Sequence, residues 1–304
     1  MSVAEIEAVD VGYEVAPSGG LWRDAWWRLR RNPGAIAGFV LVGAFLLLAI
    51  FAPLVAPHNP NEQDLQAVIK GCPCGPSRAH LLGVDTLGRD ELSRIIFGAR
   101  FSLLIGVVAV TVGLTLGLLL GSIAGYVGGW IDSVIMRLMD IMLAIPGLLF
   151  AIGIVAMLKP GLFQIMIAVG VVNIPIFARL LRGSILAQRE NDFVLAARSV
   201  GVKRWQILGS HVLPNAISPV IVQATLALAT AIIDVAGLGF LGLGPQDPGT
   251  PEWGTMLTET DRYLQSAPYL AIFPGIAIVL SVLGFNLIGD GLREALDPKL
   301  RGRT

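Results

Sequence analysis

The sequence predicts an all-α membrane protein with six transmembrane helices, and three observations carry that expectation. Hydrophobic residues fill 54% of the 304 positions and charged residues only 14%, against about a quarter charged in soluble domains. Six apolar runs reach the length of about 20 residues that a helix needs to cross a bilayer core. Each run is continuous rather than alternating, which excludes barrel strands. A span in lipid must satisfy its own backbone hydrogen bonds, so helices are what remains.

The expected spans, in chain order, are 34–56, 101–126, 131–158, 162–181, 216–240 and 269–288. The first 20 residues lack a basic segment followed by an apolar core. No cleavable leader is expected there, and the first span is retained. The second span lies in a stretch free of charge until Asp132, while the third carries Asp132, Arg137 and Asp140 in its first turns. Gly113, Gly117 and Gly121 in the second span form a small-xxx-small ridge that lets a neighbouring helix come close. The expected divisions are an N-terminal segment 1–33, a first helix 34–56, an external loop 57–99, a five-helix transport core 100–293 and a tail 294–304. A connection at 184–214 interrupts the core between its third and fourth helices.

Net charge is zero, with 22 basic and 22 acidic residues, so only the distribution of charge informs. Nothing in it points to nucleic acid. Arg23, Arg28, Arg30 and Arg31 precede the first span, Arg182, Arg189, Arg198, Lys203 and Arg204 lie in the connection between the fourth and fifth spans, and Arg293, Lys299, Arg301 and Arg303 follow the last span. These three segments share one side in a six-span count, and the positive-inside rule makes that side cytoplasmic. Both termini are then cytoplasmic. The long first external loop votes the other way with Lys70, Arg78, Arg89, Arg94 and Arg100, but Glu62, Asp64, Asp85, Asp90 and Glu91 balance it. The last external loop holds Asp247, Glu252, Glu259 and Asp261 against Arg262.

Within the cytoplasmic connection, "DFVLAARSVG" reads as a short helix with Phe193, Val194, Ala197 and Val200 at helical spacing. Gly201 ends it, since glycine takes the left-handed conformation of a helix stop. A second short helix, "VKRWQILGSHVL", follows, and Pro214 marks entry to the next span. Small Ala196 and Ala197 admit the close approach of another surface, while Trp205 and Ile207 are side chains of the kind that anchor interfaces. The same pattern also suits two helices lying on the lipid surface.

"LAARSVG", nine residues and then "HVLP" resembles the cytoplasmic loop of bacterial ABC importer permeases, whose pattern is Glu-Ala-Ala, three residues, Gly, nine residues, Ile-x-Leu-Pro. Ala196, Ala197, Gly201, Leu213 and Pro214 match, whereas Leu195 replaces Glu and His211 replaces Ile. Further stretches look like the C-type permease subunit of dipeptide, oligopeptide and nickel importers: "HLLGVDTLGRDELSRIIFGARFSL" (80–103), "MRLMDIMLAIP" (136–146), "GFLGLG" (239–244), "PEWGTML" (251–257) and "FNLIGDGLREALDPKLR" (285–301). With the amphipathic "WWRLRRNPGA" the similarity covers nearly all of the chain from Trp22.

The resemblance implies a type I ABC importer permease fold, an N-terminal helix plus a five-helix core, in the bacterial inner membrane. It implies a coupling loop (Ala196, Ala197, Gly201, Trp205, Leu213, Pro214) that docks on an ATPase. The implied partners are a sister permease forming a heterodimer, two cytoplasmic ATPases that carry ATP and Mg, and an external solute-binding protein. No cofactor is implied on this chain. The expected function is passage of di- or oligopeptides by alternating access, with a nickel or metal-chelate permease as the reading beside it.

Polar groups inside spans are the usual pointers to a path. Asn173, Gln223, Asp234 and Asn286 are the candidates, and interhelical hydrogen bonding explains them equally. Related permeases often carry Glu where Val235 stands, one residue and about 100° of helix away from Asp234. Arg137 and Asp140, three apart, suit a local ion pair. "LGVDTLGRDELSR" has turn glycines Gly83 and Gly88 and charges (Asp85, Arg89, Asp90, Arg94) that brace a loop or a partner; a site for zwitterionic peptides is the alternative. Cys72 and Cys74 are free thiols, a strained local disulfide or, with His58 and His80, metal ligands, and no metal site is assigned. No GxxxxGK[ST] phosphate loop and no HExxH or GxSxG occurs, so neither nucleotide hydrolysis nor an intramembrane enzyme is expected. An ion-coupled secondary transporter needs intramembrane carboxylates and repeats, and only Asp140 and Asp234 lie within spans.

Overall fold

A computed structural model describes residues 21–69, 72, 73, 75–258 and 260–296. Cys74, Lys70, Glu259, Lys299, Arg301 and Arg303 lie outside the described residues. The chain opens with α1 (Leu21–Leu29), which lays Ala25 and Leu29 against Ala295 and Leu296 at the end of the last helix. Asn32 then caps α2 (Pro33–Ile50): its Oδ1 accepts from Ala35 N at 3.0 Å, and Pro33 at the first helical position needs no donor partner. The same side chain donates through Nδ2 to Glu294 Oε2 at 2.6 Å, tying the start of the first span to the end of the last.

After α3 (Ala52–Val55) the chain makes a two-residue antiparallel ladder between β1 (Val68–Ile69) and β2 (Cys72–Pro73). α4 (Glu91–Val127) begins ten residues before the expected span, because "ELSR" forms its first turns. Asp90 caps it by accepting from Ser93 N at 2.8 Å. Gly128 and Gly129, with φ of +71° and +63°, turn the chain into α5 (Gly129–Leu143).

The third expected span is broken. α5 and α6 (Gly147–Leu158) meet at an angle of 92°. Pro146 explains the break, since it has no N–H for a helix interior and drives the residue before it out of the helical region. α7 (Leu162–Gln188) runs beyond its expected end, and α8 (Asp192–Ser199) and α9 (Arg204–Ile207) follow. A wide π turn at Leu208–Val212 and α10 (Leu213–Ala216) lead into α11 (Ser218–Leu238), which widens again at Gly239–Leu243. The short α12 (Trp253–Thr258) precedes α13 (Tyr269–Leu296). Among the described residues five helices are long and apolar enough to cross a membrane, and six spans result if the bent α5–α6 pair counts as one.

α4 and α7 form the most extensive helix pair. The glycine ridge is the cause: a Cβ on Gly113, Gly117 or Gly121 would lie 2.7, 2.5 or 2.5 Å from atoms of Asn173, Phe177 or Ala178. Around that seam Ile105, Ala109, Val169, Phe177, Leu181 and Ile185 build the main core. At the end where α4 begins, Trp253 is completely buried, donates Nε1–H to Ile95 O at 3.0 Å and meets the Phe45 ring edge-on at 5.5 Å.

Candidate functional site

The connection between α7 and α11 is held from within. Val194, Ala197, Ile207, Leu208 and Val212 are buried in the same core cluster as Phe177, Leu181 and Ile185. The loop is therefore an outgrowth of the bundle core. Its other face is bare: Leu195, Val200 and Trp205 are 52%, 77% and 68% exposed, and Ala196 is exposed between them. This divides the residues expected at a dock. Ala196 and Trp205 face outward, while Ala197 and Ile207 point inward, because α8 must bury one stripe to stay attached. Phe193 and Val200 likewise lie outside, and only Val194 and Ala197 of that set pack inward.

Gly201 ends α8 as expected, with φ +81°. Val202 N donates to Ala197 O at 3.1 Å and Gly201 N to Arg198 O at 3.0 Å, the paired bonds of a Schellman stop. The turn brings Trp205 to the end of α4, where its ring lies 5.8 Å from that of Tyr126. Tyr126 also donates its hydroxyl to Arg204 O. A groove opens there, lined by Tyr126, Leu195, Arg198, Arg204 and Trp205 among others. Leu213 is half-buried and Pro214 exposed, at the start of α10. The π turn just before Pro214 fits a helix that must pass a residue with no N–H.

Two ion pairs fasten the bent α5 to α7 near this end. Arg182 forks onto Asp132, with Nε and Nη2 at 2.5 and 2.6 Å from the two carboxylate oxygens. Asp140 accepts from Arg179. The expected Arg137–Asp140 pair is not formed, because α7 supplies a cation across the helix interface. Sequence spacing missed Arg179 and Arg182 as partners, since the pairs span 39 and 50 positions.

The path candidates separate. Asn173 is buried, donates Nδ2–H to Val169 O at 2.8 Å and packs on Gly113 of α4, so it serves the helix seam. Gln223, Asp234 and Asn286 are half-buried and make no side-chain hydrogen bond among the described residues.

At the opposite end the charges of "LGVDTLGRDELSR" brace the protein. Asp85 accepts from Arg89 Nε at 2.5 Å and from the backbone N–H of Leu87 and Arg89, both at 2.9 Å. Arg94 Nε lies 3.3 Å from the same carboxylate, and Arg89 Nη1 reaches Pro248 O at 2.7 Å. Asp85, Arg89, Asp90, Glu91 and Arg94 are all at most 2% exposed. Glu252 is a further buried acid, which in the sequence reads only as loop charge. It accepts from Gly254 N and Thr255 N, each at 2.8 Å, and from Ser102 Oγ at 3.3 Å. Burial pushes its carboxyl above the usual range, and these donors offset only part of that.

An apolar bundle of five helices long enough to cross a membrane plus a broken one, with a core-anchored loop offered at one end, marks a helical membrane protein. A model of the binding-protein-dependent transport system inner membrane component matches residues 117–302, and one of the N-terminal TM domain of oligopeptide transport permease C matches 20–71. The chain is 50% identical over 280 residues to the dipeptide transport system permease protein DppC of Alkalihalophilus pseudofirmus, covering 92% of this chain and 90% of that one. It is 50% identical to DppC of Escherichia coli K12 (92% and 93% covered) and 49% identical to the glutathione transport system permease protein GsiD of Salmonella typhimurium (92% and 91%). Inward-facing structures of the MetNI methionine ABC transporter align at TM-score 0.57 and 18% identity, over 67% of this chain and 96% of that one, a likeness of fold. This chain belongs to the family of binding-protein-dependent transport system inner membrane components. It is a permease component of an ABC importer.

Proposed function

We propose that this permease forms half of a path for di- or oligopeptides, and that its 184–214 connection is the coupling loop on which an ATPase acts. The relatives at about half identity are named for dipeptide and glutathione transport, all peptides. The observation that carries the coupling role is the two-faced loop: Val194, Ala197, Ile207 and Val212 belong to the transmembrane core while Leu195, Ala196, Val200 and Trp205 are left bare. A push on such a surface moves the bundle rather than bending a tether.

In this reading the sister permease supplies the other half as a heterodimer, two cytoplasmic ATPases hold ATP and Mg, and an external binding protein delivers cargo. Both termini and the coupling loop are cytoplasmic. ATP binding closes the ATPases, each drives one coupling loop, and the two permeases rock between outward and inward openings. Gln223, Asp234 and Asn286 are the polar groups left free to meet cargo. The chain itself catalyses no reaction. Vesicles holding the complete importer test the proposal: peptide uptake should require ATP and the binding protein, and uptake without ATP would overturn it.

A further inference from the structure

Three separate stretches at the α4-start end of the molecule bring His58, His80 and Asp90 together, with one ligand-capable atom from each lying within 4.8 Å of the others. His80 Nδ1 is 2.9 Å and His58 Nδ1 3.5 Å from the same oxygen, Asp90 Oδ1. The two rings stand 4.9 Å apart. His58 Nδ1 is shut off from solvent and has no hydrogen-bond partner, although Asp90 Oδ1 lies 3.5 Å away. On its other side, His80 Nε2 faces Asp64 Oδ2 at 3.5 Å.

Each group is also held through other atoms, and among the ligand atoms His80 Nδ1 and Asp90 Oδ1 share a hydrogen bond, whose proton a bound cation would displace. Asp90 uses Oδ2, not Oδ1, to accept from Ser93 N and Ser93 Oγ at 2.8 and 2.7 Å. His58 is fixed through its backbone N, which donates to Ser93 Oγ at 3.0 Å. His80 N donates to Ser77 Oγ at 3.0 Å, and its carbonyl accepts from Ser77 N and Gly83 N. Asp64 is held by Gln66 N at 3.0 Å and by its own N–H to Gly88 O at 2.8 Å.

The tautomers decide what belongs in the centre. When a cation replaces the proton between His80 Nδ1 and Asp90, a neutral His80 carries its hydrogen on Nε2, which faces Asp64 Oδ2 at 3.5 Å, and its Nδ1 lone pair faces the Asp90 oxygen. His58 Nδ1 adds a second nitrogen aimed at the same point. Once the proton between His80 Nδ1 and Asp90 Oδ1 is displaced, their lone pairs and that of the partnerless His58 Nδ1 converge on one spot that a cation can fill. A carboxylate behind a ligating imidazole is the usual arrangement at metal sites, where it fixes the ring and its tautomer. Two imidazoles with one carboxylate suit zinc and its neighbours rather than calcium or magnesium, which take oxygen ligands.

We propose that His58, His80 and Asp90 form a zinc-type divalent metal site, with Asp64 orienting His80. The ion clasps the segment after α3 and the turn at His80 to the first turn of α4. It adds a cross-link beside the Asp85–Arg89–Arg94 network and needs no cysteine.

The test uses the assembled importer in detergent, stripped with chelator, exposed to zinc and desalted, with zinc counted by elemental mass spectrometry and thermal unfolding followed with and without the ion. Importer carrying the wild-type chain should retain about one more zinc ion per copy of this chain than importer carrying H58A or D90N, as expected of one site with three protein ligands. It should also unfold at a higher temperature with zinc than without. H58A keeps the backbone bond to Ser93 and should lose the zinc. D90N preserves the helix cap, because Asn caps as well as Asp, and should lose it too. Equal zinc retention by wild type, H58A and D90N, all assembled on gel filtration, would overturn the site. So would a wild type that takes up none, the outcome expected if the His80–Asp90 hydrogen bond is all that joins these groups.

Discussion

Arg182 of α7 grips both carboxylate oxygens of Asp132 in the first turn of α5, at 2.5 and 2.6 Å. The pair sits six residues before the end of α7, so it fixes the broken α5–α6 span to the helix that leads into the 184–214 connection. Both side chains are part-buried, at 32% and 17% exposure, and the fork geometry is matched by arginine but not lysine. Arg182→Ala and Asp132→Ala should therefore be non-additive, with a coupling of about 1 kcal/mol in a double-mutant cycle on thermal or denaturant stability of the complex. Additive losses would show that α5 is held by its other contacts alone.

Gly201 stands at φ +81° in open space, with no atom within 4 Å of an added Cβ. The cost of substitution is thus purely one of backbone conformation, about 1–2 kcal/mol for an ordinary residue. Asn tolerates that region and Val does not. Gly201→Asn should keep most ATP-driven uptake, whereas Gly201→Val should reach the membrane yet uncouple hydrolysis from transport. Equal uptake by the two substituted chains would remove the Schellman stop from the coupling mechanism.

Trp205 and Ile207 read alike in sequence, as two large apolar side chains in one loop, and the structure makes them opposites. Ile207→Ala should cost about 2–5 kcal/mol of stability, since it opens a cavity in the main core. Trp205→Ala should leave the melting temperature nearly unchanged and weaken co-purification of the ATPase. A Trp205 variant that melts early but still binds ATPase would reverse the assignment of faces.

That pair marks where the sequence was legible. Position-specific backbone demands could be read directly: Gly201 as a helix stop, and Gly113, Gly117 and Gly121 as a close-packing ridge, which α7 fills. Apolar run lengths located the spans but averaged over Pro146, so the 92° break was hidden inside one run. Long-range choices were illegible for a different reason. Asp140 has Arg137 one turn away and Arg179 on another helix, and only packing decides which cation arrives. Likewise His58, His80 and Asp90 are separated by 22 and 10 positions, and no spacing rule brings them together.

Gly117 lies against Phe177, whose Cβ would be 2.5 Å from a Cβ placed on the glycine, with Ile174 O at 2.9 Å. Backbone contacts of that kind do not yield, so α4 and α7 would have to separate. Gly117→Val should lower stability by more than the 1–3 kcal/mol or so of ordinary overpacking and reduce the amount of assembled importer. Gly153, with nothing within 4 Å, is the control: Gly153→Ala should be neutral or slightly stabilising. Equal assembly of the Gly117 and Gly153 variants would mean the α4–α7 seam is looser than its geometry.

Glu252 sets a pH dependence whose direction follows from its burial. Its folded-state pKa lies above the ordinary 4.5, so the folded protein holds the proton more tightly than the unfolded chain does. Stability from this group is complete below about pH 4.5 and is lost as pH rises through the folded-state value. Glu252→Gln cannot ionise and has no such loss. The melting temperature of the wild type, measured relative to Glu252→Gln in the same detergent, should therefore fall as pH is raised from about 4 toward about 8, as this linkage requires. A difference that grows with pH would mean that the donors from Gly254, Thr255 and Ser102 outweigh burial, and that the carboxylate is held ionised as a fixed cap of α12.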